Sequence, residues 1–443
     1  MSIVLVLGVM AGCGAGGDAG NNSAGDAAGN NAGDAGAAKS AAAELDKIDK
    51  PTTLTIYAPV SDAIFAKFFA DPLKAKFPNL TLEQLKPTKP NSEGAAELVE
   101  QGNTPDLVYA VPGWYGKEKL IDLYTDLTPL IKKYNFDMNR LDPVVLETLK
   151  TYSPGKIDFI PESVTTLILL YNKDIFDKFG VPYPKDGMTW DDALALAAKV
   201  TRTEGDKTYY GFNMDRFFPI NNNQLSLAFV DGKTNKANVA NNPGWATYFN
   251  TMKRFYELPG NKMTDKQFGN YNMFSKDKNV AMFSSRLEQL SNMVIAEEAG
   301  LNWDLVTTPT FKEAPNASSQ VNDPYLAITP ASQHKDEAFK VIAYLLSDEV
   351  QLAHNLDGRL TVLKDKTIRD QFGKNIKELA KKNIAAATKL QAAKPRTFTI
   401  YDDYVVTSLA KSFSDVITGK TDVNTALRQG EDAANQLIEE NKR

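Results

Sequence analysis

Cysteine is all but missing from this chain: its 443 residues include one, Cys13, and only two histidines, His334 and His354. A single thiol excludes an internal disulfide, and with Cys13 near the start no thiol remains in the body for catalysis or a soft metal site. The two histidines show neither HExxH nor any paired spacing, which argues against a zinc enzyme and leaves no metal or other cofactor expected. No large block of one charge sign occurs, with 50 Lys and Arg set against 55 Asp and Glu for a net charge of −5. That balance argues against a nucleic-acid partner or an anionic membrane surface. Basic residues are absent before Lys39.

What is present starts with an apolar run, Ile3 to Met10, followed by Ala11, Gly12 and Cys13. A helix needs roughly 20 apolar residues to span a bilayer, so this run is too short. It suits the h-region of an export signal with small residues before the cleavage point. The segment resembles a bacterial lipobox, which implies residues 1–13 as a signal peptide and a lipidated Cys13. Met10 stands where that pattern usually has leucine, and the basic n-region is missing, so a start upstream of Met1 is expected. Residues 14–50 are mostly Gly, Ala, Asn, Asp and Ser up to about Ala43, too poor in large apolar groups to offset their ordering entropy. They are expected to form a disordered leash reaching roughly 30 Å on average.

From about Lys50 the composition is globular, and 43% of the whole chain is apolar. So long a body exceeds what one core organises, so at least two lobes are expected. Leu54–Ala58, Leu80–Leu82 and Asp106–Ala110 read as strands alternating with helices over Ala63–Lys76 and Gly94–Gln101, the pattern of a parallel α/β sheet. Ligands of such sheets bind beyond the C-terminal strand ends, which singles out loops Pro59–Asp62 and Val111–Gly116. Thr165–Tyr171 reads as a further strand, with a short helix over Ile175–Phe179 ended by Gly180. Thr189 is placed to cap the next helix, with Asp192 three residues on. Helices are expected over Trp245–Tyr256, Arg286–Ala299, Ser332–Leu352, Tyr401–Ile417 and Val423–Glu440, with a strand in Val321–Thr329.

The ordered set LTIYAP, TPDLVYA, LIDLYTDLTPLI, LLYNKDIFDKFGVPYPKDGMTWDDALALAAKVT, KDKNVAMFSS, WDLVTTPTFKEAP, YLAITPASQHKDEAFKVIAYLLSDEVQL and GKTDVNTAL runs from about Thr52 to Ile438. It resembles the extracellular solute-binding proteins of ABC sugar importers, the group containing maltodextrin-binding protein. The resemblance implies a two-lobe α/β periplasmic-binding-protein fold whose lobes, joined by hinge strands, close on a ligand. By analogy, lobe 1 is 52–163 with 327–378 and lobe 2 is 168–320 with 379–443. Crossovers are expected near Ser163–Leu167, Asn322–Leu326 and 370–385. It further implies an oligosaccharide ligand bound without chemistry, permease subunits as partners, a monomer, and a lipid anchor on the outer face of the cytoplasmic membrane. The tethered form suits a Gram-positive cell.

A sugar offers apolar faces and a rim of hydroxyls, so its site needs aromatic platforms and fixed polar groups. Trp114 and Tyr115 supply aromatics on a strand-end loop. Phe217 and Phe218 lie where the family places a lobe-2 ring, with one expected as platform and the other as packing; Asn221 adds an amide. Ser61 and Asp62 follow the first strand, where Asp62 either meets ligand or caps a helix. Thr165, near Glu162 and Ser163, and Asp323 with Tyr325 lie at the crossovers. Arg286 stands near a position where the family often carries tryptophan; with Arg359 it is a cation suited to an acidic sugar or to a structural ion pair. Tyr401 opens the late helix where the family adds an aromatic.

Two other classes fit some of these residues. A glycoside hydrolase needs two carboxylates flanking the scissile bond, for which Asp62, Glu162 and Asp323 are candidates. The other is a receptor for a non-sugar solute such as a peptide or polyamine; for a polyamine the candidate carboxylates are Asp62, Asp323 and Asp402.

Overall fold

A computed structural model describes residues 44–321 and 323–442. Cys13, the run before it, most of the 14–50 leash and Asn322 of the second crossover lie outside the described residues. Two main sheets organise the rest. Their strands are β1 (Thr52–Tyr57), β2 (Leu80–Leu85), β3 (Leu107–Ala110), β4 (Ile160–Pro161), β5 (Leu167–Asn172), β6 (Asn213–Met214), β7 (Met282–Arg286), β8 (Trp303–Thr307) and β9 (Tyr325–Ile328).

The first sheet has the order β2-β1-β3-β9-β4, with β1 parallel to β2 and β3 and β9 antiparallel to β3 and β4. Parallel pairing follows from the helical crossovers Asp62–Lys76, which runs through a π turn at Ala66–Ala70, and Asn91–Glu100. Asp106 locks β3 to β1: its Oδ2 accepts from the Thr55 backbone at 2.9 Å and from Thr55 Oγ1 at 3.0 Å. Those bonds fix where the chain enters β3, and with it the register of the strand whose far end leads into the loop carrying Trp114.

The second sheet, β8-β5-β7-β6, is mixed: β5 runs antiparallel to β7 and β8, while β6 is parallel to β7. Every residue of β5 is buried, which explains its unbroken apolar sequence. The core around it takes Trp190, Trp245, Trp303 and Phe249, and the C-terminal helices Asp402–Ile417 and Val423–Glu440 add Val405, Leu409, Phe413 and Leu427. Thr189 caps Trp190–Val200 in a reciprocal box with Asp192, and Gly180 ends the helix before it in the left-handed region at φ 62°.

Two helix expectations need correction. Ser332–Leu352 is not one helix but two, Lys335–Leu345 and Asp348–Leu356, because the Ser347 side chain caps a new start by accepting from Val350. Arg286–Ala299 is not helical throughout: β7 continues to Arg286, and the α-helix spans only Leu290–Glu298. Between the sheets, β4 leads through Glu162–Thr166 into β5, and Val164 bridges Leu360 on the way. Later, Ile368 packs in the first sheet's core and Phe372 in the second's.

Candidate ligand-binding cleft

A cleft of roughly 520 Å³ opens where the loop after β3 faces residues of the second sheet's unit. From the first side come Trp114, in the short turn Pro112–Trp114, and Lys117 on the helix Tyr115–Leu120 that follows. From the other side come Asp215, Phe217, Phe218, Asn221, Arg286 and Asp403. The loops approach closely: a Cβ on Gly113 would lie 3.3 Å from Asn221 Nδ2.

Local chemistry sets the aromatic positions. Asp215 Oδ1 accepts from the backbone N–H groups of both Phe217 and Phe218 at 2.9 Å, a turn that starts the helix Phe218–Asn221. It directs the two rings oppositely, leaving Phe217 54% exposed and Phe218 5% exposed. Phe218, the ring that aligns best with the family's aromatic, is therefore the packed one, and Phe217 presents the open face. The Arg286 guanidinium lies 5.8 Å from the Phe218 ring centre, its Nε has no hydrogen-bond partner, and it forms no ion pair among the described residues.

A model of the bacterial extracellular solute-binding proteins matches residues 52–352. The chain belongs to that family. A putative binding protein of Brucella abortus is 24% identical over 245 residues, 53% of this chain and 56% of the relative, so the match spans about half of each. Among solved structures, an ABC substrate-binding protein of Listeria monocytogenes in complex with cycloalternan has a TM-score of 0.69 at 18% identity, covering 88% of this chain and 100% of that one. A maltose/maltodextrin-binding domain of Bdellovibrio bacteriovorus bound to maltotriose has a TM-score of 0.65 at 17% identity, covering 88% and 100%. Mycobacterium tuberculosis UgpB in complex with glycerophosphocholine has 0.70 at 16%, covering 88% and 99%. The fold of this solute-binding protein is thus the two-lobe α/β one.

Several expected site residues lie elsewhere in the solute-binding protein. Tyr115 is no platform. It is fully buried among Tyr124, Tyr152, Phe159 and Phe398, and its hydroxyl bonds Asp158 and Ser153. The helix that starts at Tyr115 turns this ring inward one residue after Trp114. Tyr325 is also fully buried, its hydroxyl 2.7 Å from that of Tyr124 and 3.2 Å from Glu118 Oε2. Asp323 and Thr165 meet each other: Asp323 Oδ1 accepts from the Thr165 backbone at 3.2 Å, both residues are buried, and burial pushes the Asp323 carboxyl well up.

Arg359 is a structural cation. Its guanidinium bonds Glu162 and the Tyr109 hydroxyl and stacks 4.7 Å from the Phe68 ring centre. Burial opposes the Glu162 charge, but Arg359 and His354 outweigh it and hold that carboxyl below its usual range. Ser61 caps its helix by accepting from Ile64, and Asp62 pairs with Lys86 beside a separate hollow. Tyr401 is buried in the second core. None of Asp62, Glu162 and Asp323, the carboxylates weighed for hydrolysis, lines the cleft. Among the described residues no group of three or more potential metal ligands occurs, and no helix is long and apolar enough to cross a membrane.

Sequence reading missed Asp403, Asp215, Lys117 and Glu93 as cleft residues. Helix phase carried the signal for one of them. In Asp402–Ile417, Asp403, Val406 and Thr407 line the cleft at spacings of three and four, while Val405, Leu409 and Phe413 face the core.

Proposed function

We propose that this protein is an extracellular receptor for a carbohydrate, most simply an oligosaccharide, that delivers its ligand to an ABC importer without chemistry. One observation carries the reading: Trp114 from one side and the exposed Phe217 from the other face a single cleft, with Asn221 and Arg286 beside them. Rings on two sides can cover the apolar faces of a sugar while the amide and guanidinium take its hydroxyls. The complexes of similar structures with cycloalternan and maltotriose support the choice of ligand class. Lobes of 52–163 with 327–378 and 168–320 with 379–443 would close over the ligand by hinge motion. The monomer would present both rims to permease subunits. Lipidation of Cys13 would hold it at the outer face of the cytoplasmic membrane, as suits a Gram-positive cell.

Titration calorimetry with neutral, acidic and amino oligosaccharides tests the binding, and a reducing-end assay tests for turnover. Binding without product supports the receptor; product release from a bound sugar overturns it. Incorporation of a labelled lipid precursor, lost in Cys13→Ser, tests the anchor. A second reading, an acidic sugar such as a uronate oligomer, is favoured by Arg286, which lacks a carboxylate partner among the described residues.

A further inference from the structure

The helix Asp402–Ile417 begins at the edge of the cleft, and its first turn holds two acids with different surroundings. Asp402 is charge-paired: its Oδ1 accepts from Thr399 Oγ1 at 2.7 Å, and its Oδ2, though without a hydrogen bond, lies 3.3 Å from the Arg396 guanidinium. Asp403 is 7% exposed, and its Oδ2 is buried with no hydrogen-bond partner. The first lobe closes one side of it. A Cβ on Gly116 would meet the Ile400 carbonyl oxygen at 2.4 Å and lie 3.4 Å from Asp403 Oδ2, so only glycine allows this approach. The remaining open side is the cleft, which Asp403 lines with Lys117.

The charged groups facing Asp403 are Asp402 on its own helix, Lys117 and Glu118 on Tyr115–Leu120, and Arg396 on the segment before the helix. Glu118 accepts from the hydroxyls of Tyr124 and Tyr325 through its Oε2 alone, and Arg396 is paired with Asp402. Burial, followed by the charge of Asp402, pushes the Asp403 carboxyl well above the usual range. A withdrawn acceptor with no partner in the protein is costly to maintain, and a donor on a bound molecule removes that cost.

We propose that Asp403 is a ligand-anchoring residue whose unpartnered oxygen accepts a hydrogen bond from a donor on the solute, a hydroxyl or an ammonium, at a helix start where the resemblance implied a stacking ring. The assignment rests on reading this cleft as the solute site. It gives the second lobe a polar contact that orients the ligand while Phe217 supplies the apolar one.

Calorimetry compares wild type with Asp403→Asn and Asp403→Leu, using maltotriose, mannotriose, a glucosamine trimer, a galacturonate trimer and spermidine. Thermal melts report folding, and Ser414→Ala, on the far end of the same helix, is the control. The expected result is at least a tenfold loss of affinity in Asp403→Leu for whichever probe wild type binds, with Ser414→Ala unchanged. If the donor is an ammonium, wild-type affinity rises with pH until Asp403 has lost its proton, and Asp403→Asn abolishes the rise. If it is a hydroxyl, the neutral sugar binds with no such rise and Asp403→Asn weakens it less than Asp403→Leu. Folded variants that bind as wild type does overturn the anchor alone. Wild type that binds none of the probes overturns the receptor reading and the anchor together.

Discussion

The carboxylate of Glu162 pairs with the guanidinium of Arg359 just where the chain leaves β4 for the second sheet, and His354 Nδ1 lies 2.9 Å from the same carboxylate. Both partners of the pair are largely withdrawn from water, so each depends on the other for its charge. Removing one partner of a buried pair typically costs about 3–5 kcal/mol, since the other is left uncompensated. Glu162→Gln is expected to lower the unfolding free energy by roughly 3 kcal/mol, read from urea titration. Affinity of the folded protein should not change, because neither residue lines the cleft; a tenfold loss of affinity at constant stability would return Arg359 to the binding site.

The adjacent aromatics Trp114 and Tyr115 separate in the same way. Trp114→Ala should weaken ligand binding by about tenfold or more, the effect of losing roughly 1.4 kcal/mol of contact. Its fluorescence change on binding should vanish with it. Tyr115→Phe removes the hydroxyl that bonds Asp158 and Ser153. That variant should lose on the order of 1–2 kcal/mol of stability and keep its affinity.

Glu118 links stability to pH. Burial pushes its carboxyl from 4.5 up to about 7, against the bonds from Tyr124 and Tyr325. The folded state therefore binds more protons than the unfolded one between these values. Stability is full below the unfolded value and falls as pH rises through the folded one. The loss at pH 8 is on the order of 3 kcal/mol. Glu118→Gln cannot titrate, so denaturant midpoints measured from pH 4.5 to 8 should decline less steeply than in wild type. Parallel slopes would remove Glu118 as the cause.

Thr189 offers a local test. Its side chain and that of Asp192 exchange bonds at the start of Trp190–Val200. Thr189→Ala should cost about 1 kcal/mol, seen as a lower urea midpoint with an unchanged slope.

Much of the fold was legible because it rests on local patterns. The apolar run of β5, the Thr189 cap and the stop at Gly180 each depend on residues within a few positions of one another. The break at Ser347 was less legible, since the apolar spacing continues across it and only the capping bond reveals a second start. In the cleft, Trp114, Phe217, Phe218, Asn221 and Arg286 were legible as residue types on strand-end or family-aligned positions. Asp403 was not, because neighbouring tyrosines looked better suited to a sugar.

By itself the sequence determined the family, through an ordered set of motifs that no single element carries. It also determined the α/β character, through the alternation of strand and helix periods. Only the tertiary structure decided which side of each element met solvent. Tyr115 and Tyr401 turned inward, Arg359 found Glu162 across the fold, and of two adjacent acids Asp402 met Arg396 while Asp403 kept an oxygen with neither hydrogen bond nor ion pair beside the cleft. Burial and pairing depend on residues hundreds of positions apart, and such partners leave no mark on the local spacing from which a sequence is read.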